Sequence, residues 1–131
     1  MKKIKLKIID TGGSKILKYL GKKNYSKVKE VYFSEILYQV EKGWNMHSKT
    51  KCFLVVVYGK VKFTVFNKQK KLKKNYILSR KDLSLLVIPK GYWFKYKSLS
   101  KPFSIICNSI NIFHNVKELI KRDVKKFELP E

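Results

Sequence analysis

Seven consecutive residues, Cys52-Phe53-Leu54-Val55-Val56-Val57-Tyr58, carry no charge. Gly59 follows, and after it the chain alternates, with Val61, Phe63 and Val65 on one face and Lys60, Lys62 and Thr64 on the other. Side chains of a strand point to opposite faces in turn, so the first run reads as a strand covered on both faces and the second as a strand covered on one. A single glycine between them suits a tight connection or a bulge. Other β-branched or aromatic runs lie at 4–9, 16–20, 28–36, 76–78, 85–88, 93–98 and 103–108. Asp10-Thr11-Gly12-Gly13 is a turn, and the basic cluster at 68–74 reads as a hairpin loop. Many short strands at this spacing predict an antiparallel barrel or jelly roll. The tail differs: Val116, Leu119, Ile120, Val124 and Phe127 mark one helical face, with Asn115 as its N-cap. The expectation is a single all-β domain over residues 1–131, with the barrel at about 4–110 and a C-terminal helix at about 116–127.

The net charge of +22 taken alone suggests a polyanionic partner. Nearly all of it is lysine, however, and the only arginines are Arg80 and Arg122. Arginine is the residue that grips phosphate and guanine with a two-pronged fork, so a dedicated nucleic-acid reader would use more of it. The bias toward Ile, Asn, Phe, Tyr and Lys fits an AT-rich coding sequence with a solvated lysine surface, and nucleic acid is not the expected partner. Cys52 and Cys107 each lie in an apolar run and match no zinc or redox spacing. The sequence leaves open whether they are paired, and a reduced cytosolic protein is the reading preferred. No apolar run of signal-peptide length follows Met1, and the longest apolar run is far short of the ~20 residues that span a bilayer. A cytoplasmic protein without membrane contact is expected.

Two stretches resemble the paired motifs of a metal-binding cupin: 43–59, beginning Gly43-Trp44-Asn45-Met46-His47, and 85–94, with Val87-Ile88-Pro89-Lys90-Gly91-Tyr92-Trp93-Phe94. In the metal cupins these supply two His and a Glu, then a final His. Here Asn45, His47 and Phe94 stand at the His positions, and no Glu lies between His47 and Gly59. One ligand cannot hold a metal ion that needs at least three protein donors, so no metal is expected. A barrel signature without its metal is typical of sugar-nucleotide cupins. Residues 31–33, 42–47 and 54–63 are similar to the dTDP-4-dehydrorhamnose 3,5-epimerase family, especially its short members, and to the sugar 3,4-ketoisomerases. The turn at 10–13 resembles that family's Asp-x-Arg-Gly, 87–93 its Val-Pro-Pro-Gly-x-Trp, and 108–123, with His114, Glu118 and Asp123, the tail of the short members.

The resemblance implies a jelly-roll cupin, a homodimer formed by strand exchange, and chemistry beside a sugar ketone without cofactor. The apolar second face of 52–58 is in keeping with a dimer. The chain departs from the family at the chemistry. The long epimerases place a catalytic His where Asn45 stands, and their catalytic Tyr falls near Ile105 or Ile106. Gly12 replaces the Arg of the turn, and the Lys that follows the His in the long enzymes aligns near Cys52, next to Lys51.

Epimerisation beside a 4-keto group needs a base, support for the enolate and an acid on the other face; a 3,4-ketoisomerase can work from one face. Asn45 and His47 are two apart on a strand and point the same way, which the resemblance makes the barrel interior. His47 is the plausible base or proton shuttle of the motif region, and equally fits a structural His. Asn45 can donate to a keto oxygen. Lys49 and Lys51 share that parity and can support an enolate or a diphosphate; Lys90 is a further phosphate contact. Tyr92 and Trp93 can stack on a base or sugar, or serve the core. The leading expectation is a nucleotide-sugar epimerase or ketoisomerase acting on a 4-keto-6-deoxyhexose nucleotide in surface-polysaccharide synthesis, catalytic through His47 and Asn45. The alternative is a non-catalytic cupin that binds a sugar nucleotide or a protein partner.

Overall fold

The protein is described by a computed structural model covering residues 1–20, 27–111 and 119–122. Among the described residues twelve strands follow in order: β1 (Lys2–Lys5), β2 (Ile8–Asp10), β3 (Lys15–Leu17), β4 (Glu30–Leu37), β5 (Glu41–His47), β6 (Cys52–Tyr58), β7 (Lys60–Asn67), β8 (Leu72–Ser79), β9 (Ser84–Ile88), β10 (Trp93–Ser98), β11 (Phe103–Ile110) and β12 (Leu119–Lys121). One five-stranded sheet has the order β1-β9-β6-β11-β4, the other β12-β5-β10-β7-β8, and β2-β3 is a small hairpin. Every pairing is antiparallel. The crossovers between sheets give the jelly roll the strand spacing predicts.

The main core lies between the sheets. Leu54 and Val56 of β6, Ile106 and Ile110 of β11 and Leu86 and Ile88 of β9 meet Val61, Phe63 and Val65 of β7 and Phe94 of β10. The two-faced character of β6 has an explanation within the chain. Its odd-numbered residues Phe53 and Val55 face outward, where Leu6, Leu17, Tyr19 and Leu20 pack over them with Leu83, Leu85 and Val87. The Tyr19 hydroxyl donates to the carbonyls of Phe53 and Cys107, pinning this cover across two strands. Each fully buried aliphatic or aromatic side chain here is worth about 1.5–3 kcal/mol. At the β6–β7 junction Gly59 has φ +83°, and a Cβ there would sit 2.5 Å from Ser104 Oγ. Only glycine takes that conformation at that approach without strain.

Three expectations change. The run at 4–9 divides into β1, which pairs with β9, and β2, which pairs with β3, because Leu6 turns into the outer apolar cluster between them. The basic loop shortens to a turn at 68–71, since the β7–β8 ladder already pairs Asn67 with Leu72. The helix expected over 116–127 is corrected at 119–121, which form β12 on β5 with Leu119 opposite His47 and Lys121 opposite Asn45. Without β12, this side of β5 would be an edge of unpaired N–H and C=O groups, and pairing them outweighs a helical apolar spacing. The rest of that predicted helix lies outside the described residues, as do His114, Asn115, Glu118 and Asp123. Cys52 and Cys107 are both buried, and neither forms a disulfide. Among the described residues no helix is long and apolar enough to cross a membrane.

Candidate functional site

A cavity of about 180 Å³ opens between the sheets. Asn45 and His47 of β5, Tyr32 and Ser34 of β4, Tyr96 of β10, Asn108 of β11 and Lys121 of β12 supply its polar wall. Leu54, Phe63, Phe94 and Ile106 supply the apolar part.

The strand period sets the first pair. Asn45 and His47 share the inward face of β5, whereas Trp44, the residue before Asn45, is buried on the other side. Gly43 lets β5 come close: its φ is +122°, and a Cβ would lie 2.8 Å from Lys95 Cα and from the Phe94 carbonyl oxygen. That approach puts Asn45 opposite Phe94 in the β5–β10 ladder. The His47 ring stacks on Phe94, centroids 6.0 Å apart and planes 15° off parallel. The His47 carbonyl accepts the Gly91 N–H at 2.8 Å, so the turn carrying Lys90 is tied to the end of β5.

The second pair comes from strands far apart in sequence. Asn108 and Tyr32 are opposite residues of the β11–β4 ladder. The Asn108 Nδ2 donates to the Tyr32 hydroxyl at 2.8 Å. Burial pushes the Tyr32 phenol up to about 12, and the Asn108 hydrogen bond opposes that shift. Burial also raises Tyr96. Both phenols are therefore neutral hydroxyls at ordinary pH.

Of the residues singled out in the sequence, the cavity brings together Asn45 and His47. The other five do not line it. Lys49 and Lys90 are exposed. Lys51 is half-buried, with its ammonium 5.5 Å from the centre of the Phe53 ring and its N–H donating to Asn111 Oδ1 at 2.9 Å. Tyr92 belongs to the main core, and its hydroxyl accepts from Lys70 Nζ at 3.3 Å. Trp93 is half-buried under the Arg122 guanidinium, 5.9 Å from its ring centre. Tyr32, Ser34, Tyr96, Asn108 and Lys121 went unmarked in the sequence. Asn108 left a signal, a carboxamide inside an otherwise apolar run. On β4 the larger apolar residues, Val31 and Phe33, face solvent while Tyr32 and Ser34 face inward, the reverse of what hydrophobicity suggests. Among the described residues no three His, Cys, Asp or Glu side chains converge as a metal site.

A two-sheet antiparallel jelly roll, with a polar-walled cavity between its sheets and the β5 motif on one side of it, is an RmlC-like cupin. More narrowly, the chain belongs to the FdtA family, described as WxcM-like, C-terminal, whose profile matches residues 2–129. Three solved structures illustrate the fold. A dTDP sugar isomerase from Desulfovibrio desulfuricans G20 superposes with a TM-score of 0.88 at 22% identity, covering 95% of this chain and 85% of that one. The RmlC dTDP-6-deoxy-D-glucose-3,5-epimerase of Legionella pneumophila Philadelphia 1, in complex with dTDP-4-keto-L-rhamnose, gives 0.80 at 16% identity, covering 91% and 70%. A His-to-Asn mutant of the 3,4-ketoisomerase QdtA from Thermoanaerobacterium thermosaccharolyticum, in complex with TDP-4-keto-6-deoxyglucose, gives 0.76 at 19% identity, covering 91% and 85%. No curated protein sequence matches the chain.

Proposed function

We propose that the protein is a nucleotide-sugar epimerase or 3,4-ketoisomerase acting on a 4-keto-6-deoxyhexose nucleotide in the cytoplasm, within surface-polysaccharide synthesis. The observation that carries this reading is the pairing of His47 and Asn45 on one wall of a sugar-sized cavity. His47 takes the proton beside the ketone, or shuttles it, and Asn45 donates to the carbonyl oxygen on which enolate charge develops. Pockets for drug-sized ligands run to roughly 300–1,000 Å³. A cavity of about 180 Å³ takes the hexose ring and leaves the nucleotide along its mouth. Lys51 and Lys90, with Lys49, are the diphosphate contacts, the Lys90 turn being tied to His47; the half-buried Trp93 is the stacking residue, whereas Tyr92 is taken up by the core. No metal or redox cofactor takes part. The molecule works as a homodimer, supported by the exposed apolar row of Val31, Phe33 and Leu37 on the edge strand β4.

A second reading rests on Asn45, a carboxamide where the long epimerases place their base. A His-to-Asn mutant of a relative holds its keto-sugar nucleotide, and a chain of this kind can bind one without turning it over. Proton NMR of TDP-4-keto-6-deoxyglucose with the protein in deuterated water separates the two. Deuterium entering at C3 or C5, and lost in His47→Ala, establishes proton abstraction. Line broadening without exchange establishes a binding module.

A further inference from the structure

The wall facing β5 holds an amide end with nothing to bind. Asn108 is 4% exposed. Its Nδ2 is committed to the Tyr32 hydroxyl, while its Oδ1 is buried and, among the described residues, accepts no hydrogen bond. Buried carbonyl oxygens are almost always paired, because leaving one without a donor loses the solvation it had in water. The residue that carries this Oδ1 lines the cavity that also holds Asn45 and His47. Tyr32 takes up the other end of the amide. Its phenol, neutral at ordinary pH, accepts from Nδ2 and so leaves the oxygen as the unspent end.

We propose that Asn108 is a ligand-binding residue, whose Oδ1 accepts a hydrogen bond from a ring hydroxyl of the bound sugar, with Tyr32 as its positioning residue. The inference deepens the nucleotide-sugar reading above and rests on it. The chemistry selects the group: an amide oxygen accepts only, so it reads a hydroxyl and is indifferent to a ketone. Asn45 presents donors to a carbonyl and Asn108 presents an acceptor to a hydroxyl, so the cavity distinguishes a ketone at one ring carbon from a hydroxyl at another. A site built around such a buried acceptor rejects analogues lacking the donor, because they leave it unpaired.

The test is calorimetric binding of TDP and of TDP-4-keto-6-deoxyglucose to the wild type, Asn108→Ala, Asn108→Leu and Tyr32→Phe, with thermal melts confirming that each is folded. The expected result is a loss of about tenfold in affinity for the sugar nucleotide in the Asn108 variants, with TDP affinity unchanged. Tyr32→Phe, the mildest change, gives a smaller loss of the same selectivity. Unchanged affinity for the sugar nucleotide, or an equal loss for TDP in folded variants, overturns the role of Asn108 and leaves the nucleotide-sugar reading standing. A wild type that binds neither compound overturns that reading and this one with it.

Discussion

A carboxamide and an imidazole two residues apart on β5 divide the work of the cavity between them. The Asn45 side chain neither takes up nor gives up a proton as an acid or base at working pH, so its contribution is to stabilise charge. Asn45→Ala is expected to lower deuterium incorporation about 100-fold while leaving TDP affinity within a factor of about three, since removal of one donor to an oxyanion typically costs 10²–10³ in rate. Equal losses in both would show that Asn45 holds the ligand and does not act on the reaction. These two residues were legible in the sequence because the strand period is local: same-face placement follows from a spacing of two. Tyr32 and Asn108 were not, because the ladder that joins them spans 76 residues. No windowed pattern reports which distant strand lies next to which. Lys121 was hidden for a related reason, its neighbour Asn45 being reached only through β12.

At the scale of elements, Gly43 governs how closely β5 meets β10. Gly43→Ala must either leave its positive φ or push a methyl into Lys95 and the Phe94 carbonyl. The expected cost is about 1–3 kcal/mol of stability, read by chemical denaturation, with His47 displaced from Phe94 and deuterium exchange reduced. Wild-type stability in this variant would mean that the strands shift apart freely. Strand β4 is a different matter, an edge strand whose outward row is apolar and whose Phe33 is 68% exposed. Phe33→Lys is expected to convert a dimer to a monomer in sedimentation, with protomer stability within about 0.5 kcal/mol of wild type in dilute solution. A wild-type monomer would remove the basis of that expectation. Strand boundaries at β6, β9 and β10 were readable from apolar runs flanked by Gly, Pro or Ser. Residues 119–121 misled, because Leu119 and Ile120 fit a helical face in isolation and their pairing with β5 is a tertiary choice.

For the whole molecule, the buried hydroxyls and thiol set an alkaline limit. Tyr19, Tyr32, Tyr96 and Cys107 are all raised, chiefly by burial. A group with a raised native pKa holds its proton more tightly folded than unfolded, so its contribution is complete below the unfolded value and is lost as pH climbs through the folded one. For Tyr32 the window runs from about pH 10 to about 12. The melting temperature is expected to fall across it, and Tyr32→Phe should flatten part of that fall. A melting temperature level to pH 12 would mean that these groups are solvated. The global fold was legible because its strands are short and its turns well marked. The cover over β6 was not, because an apolar second face says that something packs there without saying what.

That cover has a consequence for how the chain comes to be made. Residues 6–20 leave the ribosome ahead of the strands they blanket, β6, β9 and β11, the last of which ends at Ile110. Strand β4 likewise waits for β11, and β1 for β9. Apart from the β2–β3 pairing, residues 6–20 therefore have few native partners until β11 has emerged. The jelly roll closes late and all at once, and an exposed apolar β6 is the stretch a chaperone would meet in the interval.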